Sequence, residues 1–173
     1  SDVCSSDLDF IGVRRHPSIF RQKWGISDTQ RVVLYSGNVG AKHDIESVLD
    51  VAESFAADAD VLFVIVGAGA AYEPLRSQAK DRGLRNIQFH PLQPYESMPE
   101  LLSLADVHLV TQRRGAADLV MPSKLAAILA SGGYALITAE ADTELGRLCD
   151  ENLGIGWRVE PENSDALAKA LRL

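Results

Sequence analysis

Short apolar runs alternate with amphipathic segments along this chain, and that alternation limits its fold more than any other feature. Five runs have the length and residue types of β-strands, at positions 31–36, 61–67, 86–90, 106–111 and 134–139. Most are apolar at both odd and even positions, which is typical of strands covered by helices on both faces. The pattern predicts an α/β protein with a doubly wound parallel sheet in the order βαβαβαβαβα.

The segments between these runs carry apolar residues three and four positions apart, as amphipathic helices do. Helices are predicted within residues 43–57, 71–83, 95–105 and 122–133, and a further helical pattern closes the chain at 165–173. Pro122 suits the first position of a helix, and the two glycines at 132–133 suit its end.

The 173 residues predict one domain, with three parts of different character. The opening SDVCSSDL, residues 1–8, matches the in-frame translation of a common sequencing adapter, so we exclude it from the fold as an artefact. Residues 9–30 are predicted to be an interdomain linker with a short helix. Residues 31–173 form the domain, which we expect to be truncated at its C-terminus and to lack a preceding N-terminal domain.

Charge and cysteine content narrow the function classes. The net charge is −7, which disfavours a nucleic-acid-binding surface. Outside the first eight residues Cys149 stands alone, so no internal disulfide is expected and the chain is predicted to be cytoplasmic, with Cys149 in the core. No apolar run reaches the roughly 18 residues of a membrane span.

Ligands of doubly wound sheets bind at the carboxyl ends of the strands, so the loops there are the candidate site. The first is SGNVGAKHD, in which Gly37 and Gly40 would let backbone N–H groups approach an anion and Lys42 would add a positive charge. This loop is predicted to hold a phosphate. A tight turn with an exposed lysine remains the alternative, and the spacing does not match a P-loop.

The second loop, VGAGAAYE, contains Gly67 and Gly69 but has Tyr72 where a dinucleotide-binding fingerprint has its third glycine. The motif is therefore weak. It is equally consistent with a close turn into a helix.

The fourth loop carries three cations, Arg113, Arg114 and Lys124, around the start of a predicted helix. Such a group suits a diphosphate, although a solvated run of charges has the same appearance. Arg113 and Lys42 are expected at the same edge of the sheet, which favours the diphosphate.

The histidines show no spacing typical of metal ligands, and no metal or other cofactor is expected. His108 lies within a predicted strand and is expected in the core, whereas His43 and His90 lie at loop edges, where a ligand contact is an open alternative. No nucleophile–base arrangement can be identified.

With these loops in view, the chain resembles the donor-binding C-terminal half of glycosyltransferase family 4 enzymes, whose GT-B fold has two Rossmann-like domains. The resemblance starts near Phe20 and rests on the order of VVLYSGNVGAKHDIE, FVIVGAGAAYEPLRSQAKDRGLRNIQFHPLQPYESMPELLSLADVHLV, PSKLAAILASGG and GIGWRVEPENSDALAKAL. More narrowly, the residues from RGAAD through TELG are similar to the WcaI type of colanic acid (exopolysaccharide) glycosyltransferase.

The resemblance implies a retaining hexosyltransferase without a metal or cofactor. Its donor would be a nucleotide-diphosphate sugar, with GDP-fucose as one candidate. Its acceptor would be a lipid-linked oligosaccharide, bound through the missing N-terminal domain at the inner face of the plasma membrane.

Carried over by position, the resemblance also implies roles for individual residues. Lys42 and Arg113 would stabilise the leaving diphosphate and are the candidate catalytic residues. The candidate donor-binding residues are Gly37, Asn38, Gly40, Gly67, Gly69, Pro91, Leu92, Arg114, Gly115, Ser123 and Lys124.

The chain also departs from the family pattern. Many members have an arginine where this chain has Asn38, and two glutamates where it has Leu119 and Ala127. Recognition of the ribose or sugar is therefore expected to differ from the majority pattern, as a trait of the subgroup.

Two other functions remain open on sequence: a nucleotide-sugar epimerase of GT-B fold, and a Rossmann-like module that binds a nucleotide without catalysis. For the chain as it stands, nucleotide binding without turnover is expected, because GT-B substrates meet in the cleft between two domains.

Overall fold

A computed structural model of the chain describes residues 18–116, 122–152 and 154–172. These residues form six strands: β1 (Arg31–Asn38), β2 (Val61–Ala68), β3 (Ile87–Pro91), β4 (Val107–Val110), β5 (Ala135–Thr138) and β6 (Gly156–Val159). They also form seven α-helices: α1 (Ile19–Lys23), α2 (Ile45–Ser54), α3 (Tyr72–Asp81), α4 (Met98–Ser103), α5 (Pro122–Ala130), α6 (Glu144–Glu151) and α7 (Ser164–Arg172). None of these helices has the length and apolar character needed to cross a membrane.

The strands make one parallel sheet in the order β3-β2-β1-β4-β5-β6. The chain therefore builds outward from β1 to β3 and then returns to the other side of β1 with β4. The loops that follow β1 and β4 lead away in opposite directions, which opens a crevice between them at the carboxyl edge. The predicted doubly wound, Rossmann-like sheet is confirmed.

The prediction of five strands was incomplete, because β6 adds a sixth at the edge of the sheet. Its sequence, GWRV, exposes Trp157 and leaves Arg158 partly exposed, so it lacks the continuous apolar run used to find the other strands. The helix predicted within residues 43–57 is also shorter, since α2 covers Ile45–Ser54.

Alternating side chains of the central strands pack against helices on opposite faces of the sheet. Val33 and Tyr35 belong to a core shared with α2, α3 and α7, whereas Val32 and Leu34 pack with residues of α1 and α4. A third cluster lies beneath α5 and α6 and includes Cys149, which confirms its predicted place in the core.

The short helix predicted within residues 9–30 is α1, and residues 9–17 lie outside the described part of the chain. Phe20 is buried against the sheet, and the guanidinium of Arg21 donates to the carbonyls of Ser27 and Gln30. Arg21 also lies 3.5 Å from the carboxylate of Asp106. These contacts fix α1 to the sheet before β1 begins.

The loop after β1 lies directly on the end of β2, and two glycines make this possible. Gly67 pairs in register with Gly37, and a Cβ at position 67 would collide with the Gly37 carbonyl oxygen and the Val39 side chain. Gly69 has a φ of +144°, and a Cβ there would collide with the Val39 carbonyl. The Val39 amide completes the contact by donating to the Ala68 carbonyl over 2.8 Å.

We expect Gly67→Ala to lower the free energy of unfolding by about 1–3 kcal/mol, because the new methyl group has to displace backbone. The urea midpoint of the variant measures this loss. Gly154→Ala is the matched control, since no atom of the described residues lies within 4 Å of a Cβ at that position. Equal midpoints for the two variants would contradict the close approach.

Candidate functional site

A cavity of about 300 Å³ opens at the carboxyl ends of β1 and β2, on the face of the sheet covered by α4 and α5. Its walls are mostly apolar, with a few polar groups from the end of β1 and the start of α5. The lining residues are Ser36, Gly37, Val66, Leu92, Gln93, Met98, Leu101, Leu102, Ser123, Lys124 and Ala127. An apolar cleft with few polar groups, placed where the strand order reverses, is the usual form of a ligand site in this architecture.

Lys124 is the basic residue in the lining of this cavity. Its Nζ lies 4.0 Å from the centroid of the Tyr35 ring, which allows a cation–π contact. A Cβ placed on Gly37 would lie 3.6 Å from the same atom, so the amine sits against the backbone of the first loop. Burial lowers the pKa of Lys124 to about 7.

The described groups around Lys124 are neutral or basic. The Tyr35 hydroxyl donates to the Asn38 carbonyl over 2.6 Å, and the His43 ring contacts the Tyr35 ring edge-on at 6.3 Å. Burial and the nearby Lys124 lower the pKa values of both His43 and His108. Among the described residues no acidic group offsets the effect of burial on Lys124.

His108 is buried in β4, which confirms its predicted place in the core. Among the described residues its Nε2 has no hydrogen-bond partner, and a Cβ on Gly133 would lie 2.7 Å from the ring. Burial is the main cause that lowers its pKa to about 4. The ring therefore stays neutral in the folded protein near neutral pH.

We expect stability to fall as the pH drops from about 6.5 towards 4, because the unfolded chain then binds a proton that folded His108 does not accept. The loss should be at most about 3 kcal/mol and should level off below pH 4. Urea unfolding across this pH range measures it. His108→Leu should make the dependence of the free energy of unfolding on pH less steep, whereas His90→Gln should leave the contribution of His108 in place. An unchanged pH dependence in His108→Leu would contradict the assignment.

Arg113 lies in the loop after β4, and this loop contacts the first loop at the same edge of the sheet, as predicted. Its backbone N–H donates to the Lys42 carbonyl over 3.0 Å. Its guanidinium, however, bonds the Glu46 carboxylate at 2.6 Å and lies 3.9 Å from Glu162. Arg113 is thus neutralised by carboxylates and does not line the cavity.

Arg114 is held in the same manner by the loops after β5 and β6. Its guanidinium lies 3.8 to 4.0 Å from carboxylates of Glu140, Glu160 and Glu162. The backbone N–H of Gly115 donates to Glu140 over 2.9 Å. Together these carboxylates form an acidic rim outside the cavity, which the sequence did not reveal because acidic residues distant in sequence carry no local signal.

Four of the predicted site residues line the cavity: Gly37, Leu92, Ser123 and Lys124. Lys42 is exposed in the turn that follows β1 and is not part of the cavity lining. His90, an open alternative as a ligand contact, stacks on Trp24 with ring centroids 3.8 Å apart.

The remaining candidates surround the cavity. Gly67 and Gly69 support the first loop from beneath. The others do not line it: Asn38 and Pro91 are the last residues of β1 and β3, and Gly40, Arg114 and Gly115 belong to the neighbouring loops.

Several lining residues were missed because their sequence pattern indicated only structure. Met98, Leu101 and Leu102 fit the apolar stripe of a helix, and nothing distinguishes a stripe facing a cavity from one facing the core. Ala127, at one of the two family glutamate positions, does line the cavity, whereas Leu119 at the other lies outside the described residues. No cluster of potential metal ligands occurs within the described ranges.

The sequence matches the family described as glycosyl transferases group 1 over residues 18–173. It is 49% identical over 170 residues to the putative colanic acid biosynthesis glycosyl transferase WcaI of Escherichia coli K12, covering 98% of this chain and 39% of that protein. It is 29% identical over 142 residues to the probable glycosyltransferase WbjE of Pseudomonas aeruginosa, covering 82% and 35% respectively. The chain thus spans less than half the length of these relatives.

The fold is similar to that of Anabaena Alr3699/HepE, solved in complex with UDP and glucose. The TM-score is 0.69 at 17% sequence identity, and the match covers 97% of this chain and 42% of that one. At this level of identity the likeness concerns the fold. It agrees with the Rossmann-like domain of a GT-B protein predicted from the sequence.

Proposed function

Because this chain belongs to the group 1 glycosyl transferases, we propose that it is the donor-binding part of an enzyme that transfers a sugar from a nucleotide-diphosphate sugar. The relative at 49% identity, named for colanic acid biosynthesis, supports a role in building an exopolysaccharide. The acceptor would be a lipid-linked oligosaccharide, held by the part of the enzyme that this chain does not include.

The cavity between α4 and α5 is the observation that carries this proposal. Its apolar side, near Leu92 and Met98, suits a nucleobase and ribose. Its polar end is formed by Gly37 near the end of β1 and by Ser123 and Lys124 in the first turn of α5. This end suits the diphosphate, because a helix N-terminus and a cation both favour negative charge.

Catalysis would depend on stabilising the charge that the diphosphate gains as it leaves the sugar. Lys42 and Arg113 are the proposed residues for this role, approaching the diphosphate from the outer side of the first loop. Arg113 would have to exchange part of its contacts with Glu46 and Glu162 for the donor. Arg114 and Gly115 would lie nearer the sugar.

Finer features of the proposal come from the family resemblance. They are retention of anomeric configuration, no metal requirement, GDP-fucose as a candidate donor, and action at the inner face of the plasma membrane. The nucleoside contacts would come from the residues around Pro91 and Leu92, and the phosphate contacts from the Gly37–Lys42 loop with Asn38 and Gly40.

We expect one nucleoside diphosphate out of GDP, UDP and ADP to stabilise the 173-residue chain by about 2–3 kcal/mol at a hundredfold excess over its dissociation constant. A thermal-shift panel that also contains CMP and NAD measures this. Lys124→Met should abolish the shift, and Lys42→Ala and Arg113→Ala should reduce it.

Lys80→Ala is the control, because Lys80 is exposed in the last turn of α3, at the opposite edge of the sheet from the cavity. A panel in which no nucleoside diphosphate stabilises the folded chain, or in which only NAD does, would contradict a nucleotide-sugar site.

A further inference from the structure

We propose, on the basis of the function proposed above, that the ring of Tyr95 stacks on the nucleobase of the donor and covers it from the solvent side. The base would then lie between two walls, one formed by residues that already line the cavity and the other by Tyr95. The ligand group recognised in this way is a planar aromatic base. The contact is noncovalent, so Tyr95 acts on donor affinity and takes no part in the chemical step.

The exposure of Tyr95 is the first observation. Its side chain is 86% exposed, more than any other large hydrophobic side chain in the described part of the chain. Within the described residues the ring has no hydrogen bond and no contact with another ring. Tyr95 therefore contributes little to the packing of the fold, and its ring is free to contact a ligand.

The helical geometry places this ring next to the cavity. A short 3₁₀ turn at Tyr95–Ser97 precedes α4, and the Met98 amide donates to the Tyr95 carbonyl. Side chains three residues apart eclipse each other in such a turn, so Tyr95 lies in line with Met98. Met98 lines the cavity, as do Leu101 and Leu102 one turn further along. Tyr95 thus continues the cavity wall by one turn.

The direction of α4 places Tyr95 at the mouth of the cavity. This helix connects the carboxyl end of β3 to the start of β4, and both strands belong to one parallel sheet. Its N-terminal turn therefore lies at the carboxyl edge of the sheet, where the cavity opens. Exposure changes in the same direction, since Leu101 and Leu102 are buried, Met98 is half-buried and Tyr95 is exposed.

Leu92 provides a second exposed apolar surface beside the same cavity. It belongs to the cavity lining although it is 57% exposed. Pro94 connects it to Tyr95 through extended backbone, with φ −54° and ψ 146°. Apolar residues scattered singly on a surface are common, but here two of them adjoin one apolar cavity. The apolar part of the site therefore extends beyond the volume that the empty protein encloses.

The order of groups in the donor assigns this apolar part to the base. Ser123 and Lys124 place the diphosphate at the α5 side of the cavity, and the nucleoside and the sugar extend from opposite ends of the diphosphate. Leu92 and Tyr95 belong to the opposite, β3 and α4, side of the cavity. A base on this side would have one face towards the apolar lining and the other towards the Tyr95 ring, an arrangement that favours aromatic stacking.

Isothermal titration calorimetry of the 173-residue chain tests the inference, with GDP, UDP and ADP as probes. The nucleotide that binds the unaltered chain most tightly is then titrated into the variants. We expect Tyr95→Ala to weaken binding about tenfold, because the stacked ring is lost. Tyr95→Phe should bind within about twofold of the unaltered chain, because it keeps the ring.

Two further measurements separate stacking from a structural effect. The urea midpoint of the free chain should be the same in Tyr95→Ala and the unaltered chain, because the side chain is exposed. In proton NMR spectra the base signals of the bound nucleotide should move upfield with the unaltered chain and with Tyr95→Phe, and less with Tyr95→Ala. Leu148→Ala is the control variant, since Leu148 is an exposed apolar residue of α6 outside the cavity lining.

The outcomes distinguish this inference from the proposed function. Unchanged affinity in Tyr95→Ala overturns the stacking contact and leaves the donor site intact. An equal loss in Tyr95→Phe and Tyr95→Ala also overturns it, because the hydroxyl would then make the contact. If none of the three nucleotides binds the folded, unaltered chain, the donor site itself is overturned, and the inference with it.

Discussion

The close approach of the β1 loop to the end of β2 is the contact on which the candidate site depends. β1 and β2 stay in parallel register as far as Gly37 with Gly67 and Asn38 with Ala68, so the loop begins only after it has been fixed to the sheet. Glycine at positions 67 and 69 removes the side chains that would hold the two backbones apart. Gly37 is thereby placed at the base of the cavity, next to the amine of Lys124.

The site combines cations in two electrostatic settings. Arg113 is paired with Glu46 and Glu162, and Arg114 is paired with Glu140, Glu160 and Glu162. No carboxylate pairs with Lys124 among the described residues, and burial lowers its pKa to about 7. The amine of Lys124 therefore lines the cavity, whereas both guanidinium groups are paired with carboxylates outside it.

Sequence patterns predicted the central sheet because its strands are buried on both faces, and burial leaves a continuous apolar run. β6 was not predicted, because Trp157 and Arg158 interrupt the apolar run in this edge strand. The cavity-lining residues Gly37, Ser123 and Lys124 were predicted because glycines, helix starts and cations at strand ends together suit an anion. Met98 and Ala127 could not be assigned to the site, as a helix stripe looks the same whether it faces a core or a cavity. The carboxylate partners of the arginines depend on contacts between loops far apart in sequence, which no local pattern encodes.

The most direct measurement is a crystal structure of the chain with the nucleoside diphosphate that stabilises it. If the cavity is the donor site, the base lies beside Leu92 and Met98, and a phosphate oxygen lies within about 3 Å of Lys124 Nζ, at the distance of a charge-assisted hydrogen bond. A nucleotide bound on the rim at Arg113 and Arg114, with the cavity between α4 and α5 empty, would contradict the assignment of the site.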